Sequence, residues 1–210
     1  IEPKPRKHIG VVGSYTLSTL PRPIQNLISS GLTSLEPDGT VSTGLANRWI
    51  VEDDGKTYRF IINQDATWHD GKPVTPADVN YDFSDATKVT TESDVIYKLP
   101  DTFVPFPTVV SQPLFRTEQK KQWGIFRSTE VLGVGEYEVI DYTIKGPRLT
   151  TLILDSPEER RTYRFYLTED VAVTEFKKGS VDTLSDMGRT HDLDTWDSVT
   201  INSQLRKDRY

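Results

Sequence analysis

The chain has 210 residues, a formal net charge of −6 and no cysteine. This length suits one large domain or two small ones. Without cysteine there are no disulfide bonds, thiolate metal sites or cysteine nucleophile. The negative charge argues against nucleic acid as a partner, because phosphate binding needs clustered Lys and Arg. No apolar run approaches the ~18 residues of a membrane span, and because Ile1 is not a natural start we expect a trimmed mature chain.

The N-terminal part of the chain predicts a tail, a strand and a helix. Residues 1–8 are basic and rich in proline, which is typical of a tail or linker. Residues 9–15 are apolar and predict a short strand, whose two glycines lack the spacing of a dinucleotide loop. Ile24 and Ile28 share one helical face with Leu27, and Gly31 is placed to end that helix as its C-cap.

A β-hairpin is predicted next. Residues 49–51 form an apolar run before Asp54-Gly55, and Tyr58, Phe60 and Ile62 alternate with more polar positions after it. Asp-Gly between such runs is a strong hairpin signal, because the turn requires positive φ.

A second reversal is predicted at Asp70-Gly71, followed by a helix. Thr75 suits the N-cap and Pro76 the first helical position. Val79 and Phe83 would then share one helical face.

The rest of the chain predicts four more strands and two helices. Three strands are residues 95–99, 149–154 and 163–167, and the segment of residues 132–142 leads into the fourth. The helices lie around residues 118–126 and over residues 169–178. Thr168 caps the last helix, and Gly179 follows its end.

The central motifs resemble those of one protein family. In order they are Gly31-Leu32, Asp38-Gly39, Leu45-Ala46-Asn47-Arg48-Trp49, Asp54-Gly55-Lys56-Thr57-Tyr58-Arg59-Phe60 and the run from Trp68 to Val79. Taken together, they resemble the N-terminal signature of the family 5 extracellular solute-binding proteins of ABC transporters, the peptide-binding type. The resemblance covers about residues 9–186.

The resemblance implies a mixed α/β fold, a type II periplasmic-binding-protein-like lobe with a small hairpin and helix subdomain over about residues 40–110. Residues 187–210 would be a polar C-terminal segment, with the second lobe absent. The implied function is capture of a solute, probably an oligopeptide, for an ABC permease, without catalysis, metal or cofactor. The implied location is periplasmic or extracellular, with a lipid anchor in some full-length proteins. The implied ligand contacts are Tyr15, Ser18, Thr19 and Leu20.

Other residues are considered as an acid–base group, a metal site or aromatic ligand contacts. Trp68-His69-Asp70 resembles an acid–base group, but turn chemistry explains Asp70 better. The three histidines, His8, His69 and His191, lack the local spacing of metal ligands. Among the aromatic residues, Tyr15 and Trp123 stay open as ligand contacts.

Two other functions stay open. One is a polymer-acting hydrolase using Asp70 and a partner carboxylate, although Asp53-Asp54 and Glu158-Glu159 point apart and no serine lies in a nucleophile-elbow motif. The other is a protein-interaction module that docks a partner on an exposed apolar face.

Overall fold

The computed structural model describes residues 3–122 and 126–203. Within them the strands are β1 (Arg6–Val12), β2 (Thr33–Leu35), β3 (Val41–Thr43), β4 (Ala46–Glu52), β5 (Thr57–Ile62), β6 (Thr87–Thr90), β7 (Asp94–Lys98), β8 (Arg116–Gln122), β9 (Phe126–Leu132), β10 (Glu138–Lys145), β11 (Arg148–Asp155), β12 (Arg160–Tyr166) and β13 (Thr183–Ser185). The α-helices are α1 (Arg22–Ile28), α2 (Phe106–Val109) and α3 (Glu169–Lys177). The strands form two larger sheets, and β2–β3 and β8–β9 form two ribbons.

The larger sheet has the order β10-β11-β12-β1-β13. Strand β1 runs parallel to both β12 and β13, whereas β10, β11 and β12 are antiparallel neighbours. Because side chains alternate along a strand, Leu152 and Leu154 turn to the same face, where both are buried. Ile24 and Ile28 of α1 join this core. We call this sheet with α1 and α3 the mixed-sheet unit.

The second sheet has the order β4-β5-β7-β6 and is antiparallel throughout. The predicted hairpin is confirmed, because Glu52 pairs with Thr57 across the β4–β5 turn. Asp54 and Gly55 have φ angles of 53° and 84°, the positive values that the Asp-Gly signal predicts. We call this sheet, α2 and the segments packed on them the hairpin unit.

An aromatic cluster fills the core of the hairpin unit. The ring of Phe106 in α2 lies at its centre, 5.1 Å from the ring of Tyr58, 5.3 Å from that of Tyr97 and 5.5 Å from that of Phe83. Trp68 is also buried in this core. Such rings bury large apolar areas and prefer tilted or edge-on contacts, which these pairs adopt.

The second predicted reversal is confirmed, but the helix predicted after it is wrong. Gly71 has a φ angle of 80° in a turn that returns the chain through one antiparallel bridge, Thr67 to Pro73. Only a single 3-10 turn, Pro76–Asp78, follows, and the backbone is extended again at Val79, with φ −72° and ψ 104°. The extended path leaves Val79 fully buried in the aromatic core, and this burial outweighs the helix-start signals.

The helix predicted around residues 118–126 is also wrong. Strands β8 and β9 pair there as an antiparallel ribbon, with Thr117 opposite Val131 and Glu118 opposite Glu130. Glu and Lys favour helices when isolated. Here, however, their backbone groups bond to a strand that comes later in the chain, and this pairing decides the conformation.

Two boundaries near the N-terminus differ from the prediction. Strand β1 begins at Arg6, inside the segment predicted as a tail. Helix α1 ends with Ser29 in an extended conformation, so Gly31 is not its C-cap. Gly31 instead lies against another backbone, where a Cβ atom would come within 2.5 Å of the Val110 carbonyl oxygen.

The segment that joins β9 to β10 connects the two units. Its Gly135 N–H donates to the Ile28 carbonyl at 2.8 Å, at the end of α1. On its other side, the Gly133 carbonyl accepts the N–H of His69 at 3.0 Å. A Cβ atom on Gly133 would lie only 1.9 Å from the Ile28 carbonyl oxygen, so this close approach requires glycine.

Candidate functional site

Three parallel strands of the mixed-sheet unit end side by side. Strands β12, β1 and β13 are neighbours, and they end at Tyr166, Val12 and Ser185. We call the segments that follow them, residues 13–20, 167–169 and 186–191, the carboxyl edge. In open α/β sheets, ligands bind in the crevice outside the carboxyl ends of the strands. The predicted contact residues Tyr15, Ser18, Thr19 and Leu20 all lie in the first of these segments.

Tyr15 is held at the carboxyl edge by contacts from three sides. Its ring meets Phe165 edge-on, with centroids 5.5 Å apart. Its hydroxyl lies 3.3 Å from the Val12 carbonyl oxygen and 3.4 Å from Asp186 Oδ2. Gly13 has a φ angle of 144°, and a Cβ atom there would lie 2.5 Å from the Tyr15 ring. The glycine therefore makes room for the ring, which stays half-buried with part of its surface in solvent.

The other predicted contacts lie in a tight turn. The N–H of Thr19 donates to the Thr16 carbonyl at 3.2 Å, and the N–H of Thr16 donates to Thr19 Oγ1 at 2.9 Å. Ser18 and Thr19 are exposed, and their hydroxyls lie 2.9 Å and 3.0 Å from that of Thr16. Leu20 is buried in the core of the mixed-sheet unit, so its side chain anchors the turn from beneath.

Sequence reasoning missed the acidic residues of the other two segments of the carboxyl edge. Asp186 follows β13 and approaches the hydroxyl of Tyr15. Glu169, in the first turn of α3, accepts the N–H of Gly188 at 2.6 Å and pairs with His191 Nε2 at 2.9 Å. The Gly188 N–H and then the His191 ring lower the pKa of Glu169. No local sequence pattern could have linked Asp186 to Tyr15, because 171 residues separate them.

The Trp68-His69-Asp70 group is a structural turn. His69 Nε2 lies 2.9 Å from the Gly135 carbonyl oxygen, and its Nδ1 accepts the N–H of Gly133 at 3.2 Å. The imidazole therefore bonds to backbone through both nitrogens, which assigns the proton to Nε2.

The Asp70 carboxylate forms ion pairs with two basic side chains. Its Oδ2 atom pairs with Arg116 and lies 3.0 Å from Lys72 Nζ. Desolvation alone raises the pKa of this carboxyl, but the hydrogen bonds of Lys72 and the charge of Arg116 outweigh that effect and lower it. Glu118 also lies 3.0 Å from Lys72. The arrangement therefore stabilises the ionised Asp70 carboxylate, whereas the general acid of glycoside hydrolysis needs a raised pKa.

Two features are absent from the residues that the structure describes. No group of three or more His, Asp and Glu side chains among them could hold a metal ion. None of their helices is both long and apolar enough to cross a membrane. Trp123, the other aromatic residue left open by the sequence, lies outside the described residues.

Known proteins match this chain in its middle segment and in its fold. Residues 40–111 match the family described as bacterial extracellular solute-binding proteins, family 5 middle. The dipeptide-binding protein DppE of Bacillus subtilis is 40% identical over 60 residues, which is 29% of this chain and 11% of DppE.

Two solved structures extend the likeness to most of the fold. NikZ from Campylobacter jejuni, in complex with Ni(L-His), has a TM-score of 0.70 and 20% identity, over 93% of this chain and 46% of NikZ. AppA from Bacillus subtilis, in complex with a nonapeptide, has a TM-score of 0.63 and 17% identity, over 84% of this chain and 42% of AppA. This chain thus spans less than half of either structure. The family resemblance is confirmed over residues 40–111, and the mixed α/β, periplasmic-binding-protein-like fold class is confirmed over most of the chain.

Proposed function

We propose that this chain, whose residues 40–111 belong to the family 5 solute-binding proteins, captures a solute for an ABC importer as one lobe of a two-lobed binding protein. The observation that carries the proposal is the carboxyl edge. There, three parallel strands end together, and Tyr15 and Asp186 meet beside an exposed turn. The site offers an aromatic surface, hydroxyls and a carboxylate for binding, and it implies no catalysis.

An oligopeptide is the proposed solute. Support comes from the names of DppE and of the nonapeptide complex of AppA, although NikZ holds a nickel–histidine complex on a similar fold. Tyr15 would pack against a side chain or the backbone of the peptide, and Ser18 and Thr19 would bond to its amides. Leu20 would support the turn from the core rather than touch the ligand. Asp186 suits a peptide N–H or ammonium group, because a carboxylate accepts strong hydrogen bonds from such donors.

The rest of the site would come from a second lobe. In periplasmic binding proteins two lobes close on the ligand by hinge motion, and the permease would recognise the closed form. Such a system would place the protein in the periplasm or outside the cell, where a lipid anchor would hold the full-length protein at the membrane. One lobe supplies only part of the contacts, so we expect the 210-residue chain alone to bind peptides weakly or not at all.

Calorimetry with a random peptide library tests this expectation on the 210-residue chain. Sub-micromolar binding would show that the lobe needs no partner and would contradict the two-lobed proposal. Where weak binding is measurable, Tyr15→Ala should abolish it. The matched control is Tyr142→Ala, because the Tyr142 hydroxyl bonds to the Thr129 carbonyl, away from the carboxyl edge. Equal loss in both variants would contradict a contact role for Tyr15.

A protein-interaction role has one observation in its favour. Leu167 and Val171 are 56% and 49% exposed, and Leu167 lies on the carboxyl edge itself. A second lobe or another copy of the chain would cover such residues. Sedimentation of the 210-residue chain separates the two cases: a concentration-dependent dimer that Leu167→Ser disrupts would favour the interaction role.

A further inference from the structure

A polar groove runs from α1 to the β2–β3 ribbon and residues 63–67. A cleft of about 570 Å³ lies between the β2–β3 ribbon and residues 63–67, and a smaller one of about 80 Å³ continues it past Ser30 and Ser34. The larger cleft has a size typical of small-molecule sites. Hydroxyl side chains line both parts, and we call the two together the serine groove. None of its lining residues belongs to the carboxyl edge.

The two ends of the serine groove carry opposite charges. Arg22 lines one end, where its Nη2 atom donates to the carbonyl and the hydroxyl of Ser111 at 2.6 Å and 2.9 Å. These bonds fix the guanidinium and leave further N–H groups of the five for another acceptor. Glu36 and Asp65 line the other end. Glu36 is held by the hydroxyl of Ser42, and Asp65 is exposed.

The span between the charges follows from the strand between them. Thr33 begins β2 beside the Arg22 end, and Glu36 directly follows β2 at the other. A strand rises about 3.3 Å per residue, so the two ends lie roughly 10 Å apart. An extended tripeptide has about the same length.

We propose that the serine groove is a second binding site, for a short zwitterionic peptide of about three residues. The peptide carboxylate would bind Arg22 and its ammonium group would bind Glu36 and Asp65. Ser30, Ser34 and Asn63 would take up its amide groups. Guanidinium groups match carboxylates in geometry, and charge-assisted bonds are stronger than neutral ones. Residues of this chain line the whole groove, so the site needs no second lobe.

Amide chemical shifts of the isotope-labelled 210-residue chain, titrated with trialanine, test the proposal. Saturable shifts are expected at Ser34, Thr43 and Asn63, with a Kd on the order of 1 mM. N-acetylation or C-amidation of trialanine should each weaken binding about twofold to fivefold, the range for exposed ion pairs. Glu36→Gln with Asp65→Asn should weaken free trialanine but leave the N-acetylated form unchanged. Asp85→Asn, an exposed carboxylate outside the groove, serves as the matched control.

The outcomes separate this site from the carboxyl edge. Shifts confined to Tyr15, Thr19 and Asp186 would support the proposed function and overturn the serine groove. Equal affinities for free and blocked trialanine, or no saturable shift up to about 20 mM, would also overturn it. Shifts at the groove that vanish in the double variant would support it, even if the carboxyl edge bound nothing.

Discussion

The two units of this chain are assembled from the sequence in opposite ways. The sheet of the hairpin unit is drawn from one continuous stretch, β4 to β7, and its turns carry their own local signals. The sheet of the mixed-sheet unit places β1 between β12 and β13, which follow it by most of the chain length. Local signals thus specify the turns that join the strands of the first sheet, whereas long-range pairing specifies the order of the second. The carboxyl edge lies in the second unit, whereas the serine groove is lined by α1 of the second unit and by the β2–β3 ribbon and residues 63–67.

The largest effect is expected in the aromatic core of the hairpin unit. Phe106→Ala removes the ring at its centre, and Phe→Ala changes in a core cost about 4 kcal/mol of unfolding free energy. Hydrogen exchange should show greater loss of protection in β5 and β7 than in β11 and β12. Leu152→Ala, fully buried in the other core, should give the reverse pattern. Phe103→Ala, at a 45% exposed ring, is the control with little expected effect.

If both core variants removed protection equally from both sheets, the two units would be one cooperative structure. The distinction between them would then describe only how the chain is ordered in sequence. That result would contradict independent local stability of the hairpin unit.

The second largest loss of stability is expected in the segment between β9 and β10, which connects the two units. Gly133→Ala puts a Cβ atom 1.9 Å from the Ile28 carbonyl oxygen, so the backbone must move. We expect a loss of about 3 kcal/mol, because overpacking strain adds to the broken contacts of this segment. Gly179→Ala is the control. Nothing lies within 4 Å of its Cβ and only the positive φ of 74° is strained, so about 1 kcal/mol is expected. Denaturant unfolding measures both, and equal losses would show that the close approach does not matter.

Sequence patterns predicted those features of the fold that neighbouring residues determine. Asp54-Gly55 marked the first hairpin because its turn needs positive φ, and the structure has it there. The helix after Thr75 failed because burial of Val79 in the aromatic core outweighed correct start signals. Tyr15 was named as a ligand contact by family resemblance, and this assignment stays a prediction. Its neighbour Asp186 was missed because it lies 171 residues further along the chain, beyond the range of any local pattern.

A smaller, pH-dependent effect on stability is expected at Glu159 in the mixed-sheet unit. Glu159 accepts hydrogen bonds from Lys7 at 2.6 Å, Tyr137 at 2.7 Å and Arg161 at 2.5 Å. Lys7 first, then Tyr137 and Arg161, lower the pKa of Glu159 from 4.5 to about 2. The folded pKa lies below the ordinary value, so its stabilisation is complete above about pH 4.5 and is lost as the pH falls towards 2.

Unfolding free energies measured across that pH range should show the loss. Glu159→Gln should lower the unfolding free energy by about 2 kcal/mol at neutral pH. It should also flatten the pH dependence of the unfolding free energy between pH 4.5 and 2. Glu158→Gln, the adjacent carboxylate, is the control and should keep the wild-type profile. A wild-type profile in Glu159→Gln would show that another group sets the acid limit of the mixed-sheet unit.

The smallest effect separates the binding function from the hydrolase alternative. Asp70→Asn removes the charge that faces Arg116 and Lys72, but it keeps the amide oxygen that accepts the Lys72 N–H in the turn. We expect a stability loss smaller than that of Glu159→Gln, because exposed ion pairs contribute little. The loss should shrink further at high salt, since salt screens such pairs. If polymer hydrolysis were detected in the wild type and vanished in Asp70→Asn without any change in unfolding, the turn would carry chemistry. The hairpin unit would then hold a reactive centre as well as a scaffold.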